Sequence, residues 1–252
     1  MSKKPTILIT GANQGVGFAT AQHLANSGRY HVLIGARSTA NAVAAIDKLK
    51  AEGSHNVDTL ALTPVVIDVT SDSSIAEAAK FVQARFNSLD LLINNAGVHS
   101  SPNPGASLRE HYQDAFNVNV FGVAIVIEKF LPLMRASKYY DRRIVNVTTG
   151  LGQIGATYEG AWSARGFGLP VYRSSKSALN MITAVYGVQL EKENILVTSA
   201  APGYCRTNFS PDGIKDVKQG SLMLVQAATE GDPKTLLGKI ICEECKLEEF
   251  GW

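Results

Sequence analysis

The chain reads as α/β, a doubly wound parallel sheet of about seven strands with helices on both faces. Two observations predict this. Short apolar runs of strand length alternate with longer stretches of helical period along nearly the whole chain. The first run, Thr6-Ile7-Leu8-Ile9, ends in the glycine-rich turn Thr10-Gly11-Ala12-Asn13-Gln14-Gly15-Val16-Gly17, and a helical stretch, Phe18-Ala19 to Leu24-Ala25, follows. Strand, glycine turn and helix in that order form a phosphate cradle. Glycines let the backbone approach a pyrophosphate, and the helix N-terminus supplies N–H groups and a positive dipole end. A lone loop of the form Gly-x-x-x-Gly-x-Gly can be a plain tight turn; its place after the first strand favours a dinucleotide.

Composition allows this fold and excludes others. At 252 residues, 45% apolar and 18% charged, one domain over 1–252 accommodates the chain. A net charge of +2 gives no basic stripe, so nucleic acid is not an expected partner. Three cysteines make no disulfide framework and fit a reducing compartment. Met1-Ser2-Lys3-Lys4-Pro5 runs into a short strand rather than a long apolar leader, and no uninterrupted apolar run reaches bilayer length. The expectation is a soluble, cytoplasmic protein with no membrane partner.

The second strand is His31 to Ala36, followed by Arg37. An acidic residue at this strand's end receives a free ribose hydroxyl; here Arg37 suits a 2′-phosphate, which predicts NADP(H) over NAD(H). The alternative is a solvated surface arginine. A helix over Thr39–Glu52 carries Ala42, Ala45, Ile46 and Leu49 on one stripe. Pro64 to Ile67 is the third strand, ending in Asp68-Val69-Thr70. Asp68 either accepts a hydrogen bond from adenine or closes the turn. Ser71 to Asn87 reads as a helix with Ser71 or Asp72 as its N-cap, and Leu89 to Ile93 as the fourth strand. It runs into Asn94-Asn95-Ala96-Gly97, small residues at the carboxyl edge where open α/β sheets bind ligands.

After a Pro/Gly/Ser-rich loop from Val98 to Ser107, a long helix runs to about Ser137 with an expected break near Phe116-Asn117. Asn119 lies in it as either a structural plug or part of a polar relay. Arg143 to Val147 is strand five and leads to Thr148-Thr149-Gly150. The stretch up to Tyr172, with Tyr158, Trp162 and Phe167, reads as a loop over a pocket. Ile195 to Ala200 is strand six, Asn208 to Asp216 has the composition of a lid, Val217 to Ala228 suits a helix, and Leu236 to Cys242 a last strand.

Pro170-Val171-Tyr172-Arg173-Ser174-Ser175-Lys176 carries the chemistry. Tyr172 and Lys176 are one helical turn apart on one face. A phenol beside an ammonium is a proton donor whose pKa the charge should lower.

Together these motifs resemble the short-chain dehydrogenase/reductase family, over nearly the whole chain. Thr10 to Gly17, Asp68, Asn94 to Gly97, Asn119, Tyr172 with Lys176, and Pro202-Gly203-x-x-x-Thr207 match its pattern in order. Arg37, the lengthened loop before Tyr172 and the C-terminal stretch are most like NADPH-dependent carbonyl reductases. The resemblance implies a single Rossmann-type domain, and 204–216 reads as a candidate substrate lid within it. It implies NADP(H) contacts at Gly11, Asn13, Gln14, Gly15, Val16, Gly17, Arg37, Asp68, Val69, Asn95, Ala96, Gly97, Tyr172, Lys176, Pro202, Gly203 and Thr207. It also implies hydride transfer to a carbonyl, with Tyr172 as proton donor, Lys176 as its tuner and holder of the ribose hydroxyls, and Asn119 as the anchor of a water relay. The family serine is replaced by Thr149, with a longer loop before the tyrosine. A threonine hydroxyl donates and accepts as serine does, though its methyl restricts the rotamer.

The loop aromatics suggest a bulky, apolar carbonyl substrate, and the chain reads as monomer or homodimer. Loss of turnover at Thr149 would leave a cofactor-binding sensor on the same fold. No metal site is expected; Cys242 and Cys245 read as plain thiols without accompanying ligands, and His99 and His111 as either pocket or packing residues.

Overall fold

The computed structural model describes residues 4–52, 58–158 and 168–242. Seven parallel strands form one sheet in the order β3-β2-β1-β4-β5-β6-β7. The strands are β1 (Thr6–Ile9), β2 (His31–Ala36), β3 (Leu62–Val66), β4 (Leu91–Asn94), β5 (Arg142–Val147), β6 (Ile195–Ala201) and β7 (Ile240–Cys242). The order reverses between β1 and β4, so connections leave their carboxyl ends in opposite directions and open a crevice there.

Alternation along β1 sets the two faces. Ile7 and Ile9 join a core with Leu24 of α1 (Gly15–Asn26), Leu49 of α2 (Thr39–Glu52) and Leu224 of α8 (Val217–Thr229). Leu8 points the other way, into a core with Val82 of α3 (Asp72–Phe86), Phe130 of α5 (Val123–Ala136) and Leu179 of α7 (Pro170–Leu190). Several helix ends follow local chemistry. Ser71 caps α3 by accepting from the Ser74 N–H, and Asn87 closes it in the left-handed region at φ 64°. Ser107 and Glu110 form a capping box on α4 (Leu108–Phe116).

The expected break near Asn117 is a π-helical turn over Asn117–Gly122, between α4 and α5. Gly122 faces the Val69 carbonyl so closely that a Cβ would sit 2.5 Å from its oxygen. The helical run Leu108–Ala136 is long and apolar enough on average to span a bilayer, although polar and charged residues such as Asn119, Glu128 and Lys129 interrupt its apolar stretch. Half of its apolar window is buried, and Val126, Ile127 and Phe130 pack in the core.

Several boundaries differ from the expectation: α1 starts at Gly15 rather than Phe18, and β4 at Leu91 rather than Leu89. The third strand starts at Leu62, two residues before Pro64, which pairs with Ile34. Proline is tolerated because β3 is an edge strand. The last strand starts at Ile240; Pro233–Leu236 forms one helical turn instead, α9, and Gly238 breaks the chain at φ 66°. Part of the loop before Tyr172 is helical, α6 (Ile154–Tyr158). Trp162 and Phe167 lie outside the described residues, as does Cys245. Cys242 is disulfide-bonded rather than a plain thiol.

Candidate active site

The glycine turn after β1 is laced to the turn after β4. The Thr10 hydroxyl accepts from the backbone N–H of both Asn95 and Ala96, at 3.0 Å each. Asn95 Nδ2 donates back to the carbonyls of Thr10 and Gly11, at 2.8 and 3.1 Å. Gly11 and Gly15 have φ of 63° and 58°, conformations that favour glycine. A Cβ on Gly17 would collide with the Asn95 amide, and one on Gly15 would lie 3.5 Å from Thr207. The cradle thus brings together Gly11, Gly15, Gly17, Asn95, Ala96 and Thr207. Asn13, Gln14 and Val16 complete the turn. Gln14 stands at the α1 N-cap without a side-chain cap hydrogen bond, so its side chain leaves the first N–H groups of α1 uncapped.

Around this floor the remaining positions fall as follows. Arg37 is exposed just past the end of β2. Asp68 closes its own turn: its Oδ1 accepts from the Thr70 N–H at 2.9 Å and the Thr70 hydroxyl at 2.7 Å. Val69 packs under Gly122. Pro202 precedes Gly203, which takes φ 82°.

Helix α7 begins at Pro170, a residue pre-shaped for a first helical turn. Tyr172 and Lys176 are both buried, at 8% and 4% exposure. Lys176 Nζ donates to the Val147 carbonyl at 2.7 Å and lies 5.8 Å from the centre of the Tyr172 ring. A Cβ on Gly97 would lie 3.3 Å from Asn119 Oδ1 and 3.7 Å from Lys176 Nζ, so the β4 turn, the π-helical turn and α7 meet at one point. Asn119 is fully buried and fully engaged. Its Nδ2 donates to the Val98 carbonyl and the Ser175 hydroxyl at 2.8 and 2.9 Å, and its Oδ1 accepts from the Val98 N–H at 3.0 Å. Ser175, next to the lysine, was not legible as part of this network.

Burial acts on both members of the pair. It pushes the Tyr172 phenol up and holds the Lys176 amine down at about 8. The sequence suggested that the lysine charge lowers the phenol; desolvation instead dominates. The phenol is held protonated, and the amine is held near working pH.

Thr148 and Thr149 diverge as strand alternation requires. The buried Thr148 hydroxyl donates to Asn180 Oδ1 at 2.6 Å. Half-buried Thr149 caps one 3-10 turn over Gly150–Gly152, accepting from the Leu151 N–H at 3.3 Å. That turn packs on α7 at the lysine: a Cβ on Gly152 would lie 3.0 Å from the Lys176 Cβ.

The segment over 204–216 doubles back on itself. Cys205 bridges Lys215, the N–H groups of Ile214 and Lys215 donate to the Tyr204 carbonyl, and Arg206 Nε donates to the Gly213 carbonyl at 2.9 Å. At its tip Phe209 meets His99, with ring centres 3.8 Å apart, and His99 meets Tyr172 edge-on at 4.8 Å. Phe209 drew no attention in the sequence because a lone phenylalanine in a polar loop has no period. His111 Nδ1 is buried without a hydrogen-bond partner among the described residues.

Fold and site define a dinucleotide-dependent α/β oxidoreductase architecture, and the chain belongs to the short chain dehydrogenase family, matching over residues 5–217. It is similar to the short-chain dehydrogenase anuI of Penicillium roqueforti, 58% identical over 252 residues that cover 99% of this chain and 98% of that one. The short-chain dehydrogenase/reductase eupG of a Phoma species is 34% identical, covering 99% and 93%. Among solved structures, salutaridine reductase from Papaver somniferum matches with TM-score 0.78 at 22% identity, covering 96% of this chain and 100% of that one. NADPH-bound carbonyl reductase from chicken fatty liver matches with TM-score 0.78 at 24% identity, covering 95% and 96%. These two likenesses carry the fold.

Proposed function

We propose that the protein reduces the carbonyl of a ketone, aldehyde or quinone to an alcohol with NADPH, as a soluble cytoplasmic enzyme. The observation that supports this most is the buried Tyr172–Lys176 pair, packed beside Gly97 and Asn119 at the sheet's carboxyl edge. A dinucleotide suits the cradle: glycines stand where the backbone must come close, and the α1 N-terminus lacks a side-chain cap. The turn from Gly11 through Asn13, Gln14, Gly15 and Val16 to Gly17 would hold the pyrophosphate, with Asn95 to Gly97, Pro202, Gly203 and Thr207 around it. Asp68 and Val69 would border the adenine end. Arg37 would grip a 2′-phosphate, which favours NADP(H). When bound, the cofactor supplies the hydride.

Tyr172 gives its proton to the carbonyl oxygen as negative charge develops there. Burial keeps the phenol protonated but makes it a weaker acid, so transfer relies on the greater basicity of the developing alkoxide. Thr149 donates a second hydrogen bond to the same oxygen. Lys176, held down at about 8, can exchange a proton at working pH and would hold the ribose hydroxyls of a bound cofactor. Asn119 would anchor the water relay, with its amide held in place by Val98 and Ser175.

The test is NADPH consumption with a panel of ketones, aldehydes and quinones. Turnover with any of them is expected; none at all would turn the reading to a cofactor-binding sensor. In the same assay kcat/KM should favour NADPH over NADH, and Arg37→Ser should erase that preference. An NADH preference in the parent would overturn the role of Arg37.

A further inference from the structure

The aromatic cluster over Tyr172 bears on what the site accepts. His99, Phe209 and Tyr172 come from three separate segments: the loop after β4, the lid tip and α7. The phenol ring is 8% exposed, and these rings are part of its cover. His99 lies edge-on to Tyr172 at 4.8 Å and against Phe209 at 3.8 Å, with the Phe209 and Tyr172 ring centres 5.8 Å apart. At 3.8 Å the His99 and Phe209 rings touch, and no third ring fits between them.

Two features set this cluster apart from ordinary packing. Phe209 is 38% exposed, so ring contacts rather than full burial hold it. His99 is engaged through ring contacts and has no side-chain hydrogen bond among the described residues. Burial and the nearby Lys176 charge lower its basicity, so it presents a neutral ring. A half-buried, neutral ring beside the proton donor is a surface for another flat ring.

We propose that His99 is a specificity residue that seats an aromatic ring attached to the substrate's carbonyl, and that Phe209 competes with that ring for the same imidazole face. The inference rests on the carbonyl-reductase reading for the identity of the carbonyl but not for the ring preference. On this view the lid tip occupies the position that the substrate's ring takes on binding. Planar aryl ketones and aldehydes are then better ligands than saturated ones of equal size.

Benzamide and cyclohexanecarboxamide test this. Both carry an amide carbonyl that a nicotinamide does not reduce, so binding is read without turnover. Dissociation constants measured by ligand-observed NMR on the full chain should favour benzamide by about 3- to 10-fold, the range for one aromatic pair. Phe209→Ala should tighten benzamide by about 3-fold or more, because the competing ring is gone. His99→Leu should abolish the ring preference, and His99→Phe should restore it. Equal binding of the two amides by the parent would overturn the proposal. So would Phe209→Ala that weakens or leaves unchanged benzamide binding, or His99→Leu that keeps the preference. A parent that shows the ring preference but consumes no NADPH sinks the reductase reading and leaves this one standing. A parent that turns over carbonyls without the preference does the reverse.

Discussion

Helix α7 buries polar side chains in two places and treats them oppositely. Towards its C-terminal half, Asn180 and Thr183 are saturated with partners. Asn180 accepts from Thr148 at 2.6 Å and donates to the Gly152 carbonyl at 3.3 Å. Thr183 accepts from Asn146 Nδ2 and meets the Ser199 hydroxyl, both at 2.9 Å, while Asn146 accepts from Asn94 at 2.9 Å. This ladder crosses β4, β5 and β6 and fixes the helix on the sheet. One atom, Asn94 Oδ1, is left without a partner among the described residues. Near the N-terminus, Lys176 has one carbonyl partner and Tyr172 sits among rings. The lesson is that neutral groups buried with a full set of partners lock geometry, while a titratable group buried with too few partners for its charged form has its proton affinity displaced.

Substitutions at four positions break or sharpen this contrast. Tyr172→Phe removes the proton donor and should cost on the order of 100-fold or more in kcat. NADPH binding, followed by fluorescence titration, should stay close to that of the parent. Normal turnover would exclude the phenol from the chemistry. In the ladder, Asn146→Leu leaves Asn94 Nδ2 and the Thr183 hydroxyl without their partner. It should lower stability by about 2–4 kcal/mol in urea unfolding, with a much smaller change in kcat than Tyr172→Phe.

Lys176→Met should do the reverse, removing turnover while raising stability. The amine's pKa falls from 10.5 unfolded to about 8 folded, so the unfolded chain binds the extra proton and burial of the charged form is a penalty. That penalty is complete below pH 8 and fades as pH rises towards 10.5, so parent stability should climb through this window. After allowing for the lost bond to Val147, the variant should gain about 2 kcal/mol at pH 7, and the gain should vanish above pH 10.5. A less stable variant at pH 7 would refute the desolvation account. Smallest in effect, Thr149→Ser should be tolerated, whereas Thr149→Ala should lower kcat by about 10-fold or more. If both behave like the parent, the hydroxyl belongs to another residue.

Much of the fold is written in period and punctuation. Strands β2 and β6 and helices α2 and α3 follow from apolar spacing and, for α3, from the capping chemistry at Ser71-Asp72. The last strand was misplaced because Leu236 and Leu237 look continuous with Ile240, although Gly238 interrupts them. In the site, motif spacing brings Tyr172 and Lys176 together, because one helix carries both. It does not bring Asn119 to Ser175, since that contact exists only once two helices pack. Nor does spacing report burial, which is why the expected direction of the Tyr172 shift was reversed. His99 and Phe209 meet through loop geometry, which leaves no repeating signal in a chain.

Pro64 has a further consequence. It sits mid-strand in β3, at the outer margin of the sheet. A foreign strand docking there would look for an unbroken row of donors and find one missing. The same residue that blurred the strand's beginning therefore discourages intermolecular strand addition, and Pro64→Val should make that margin more prone to aggregation.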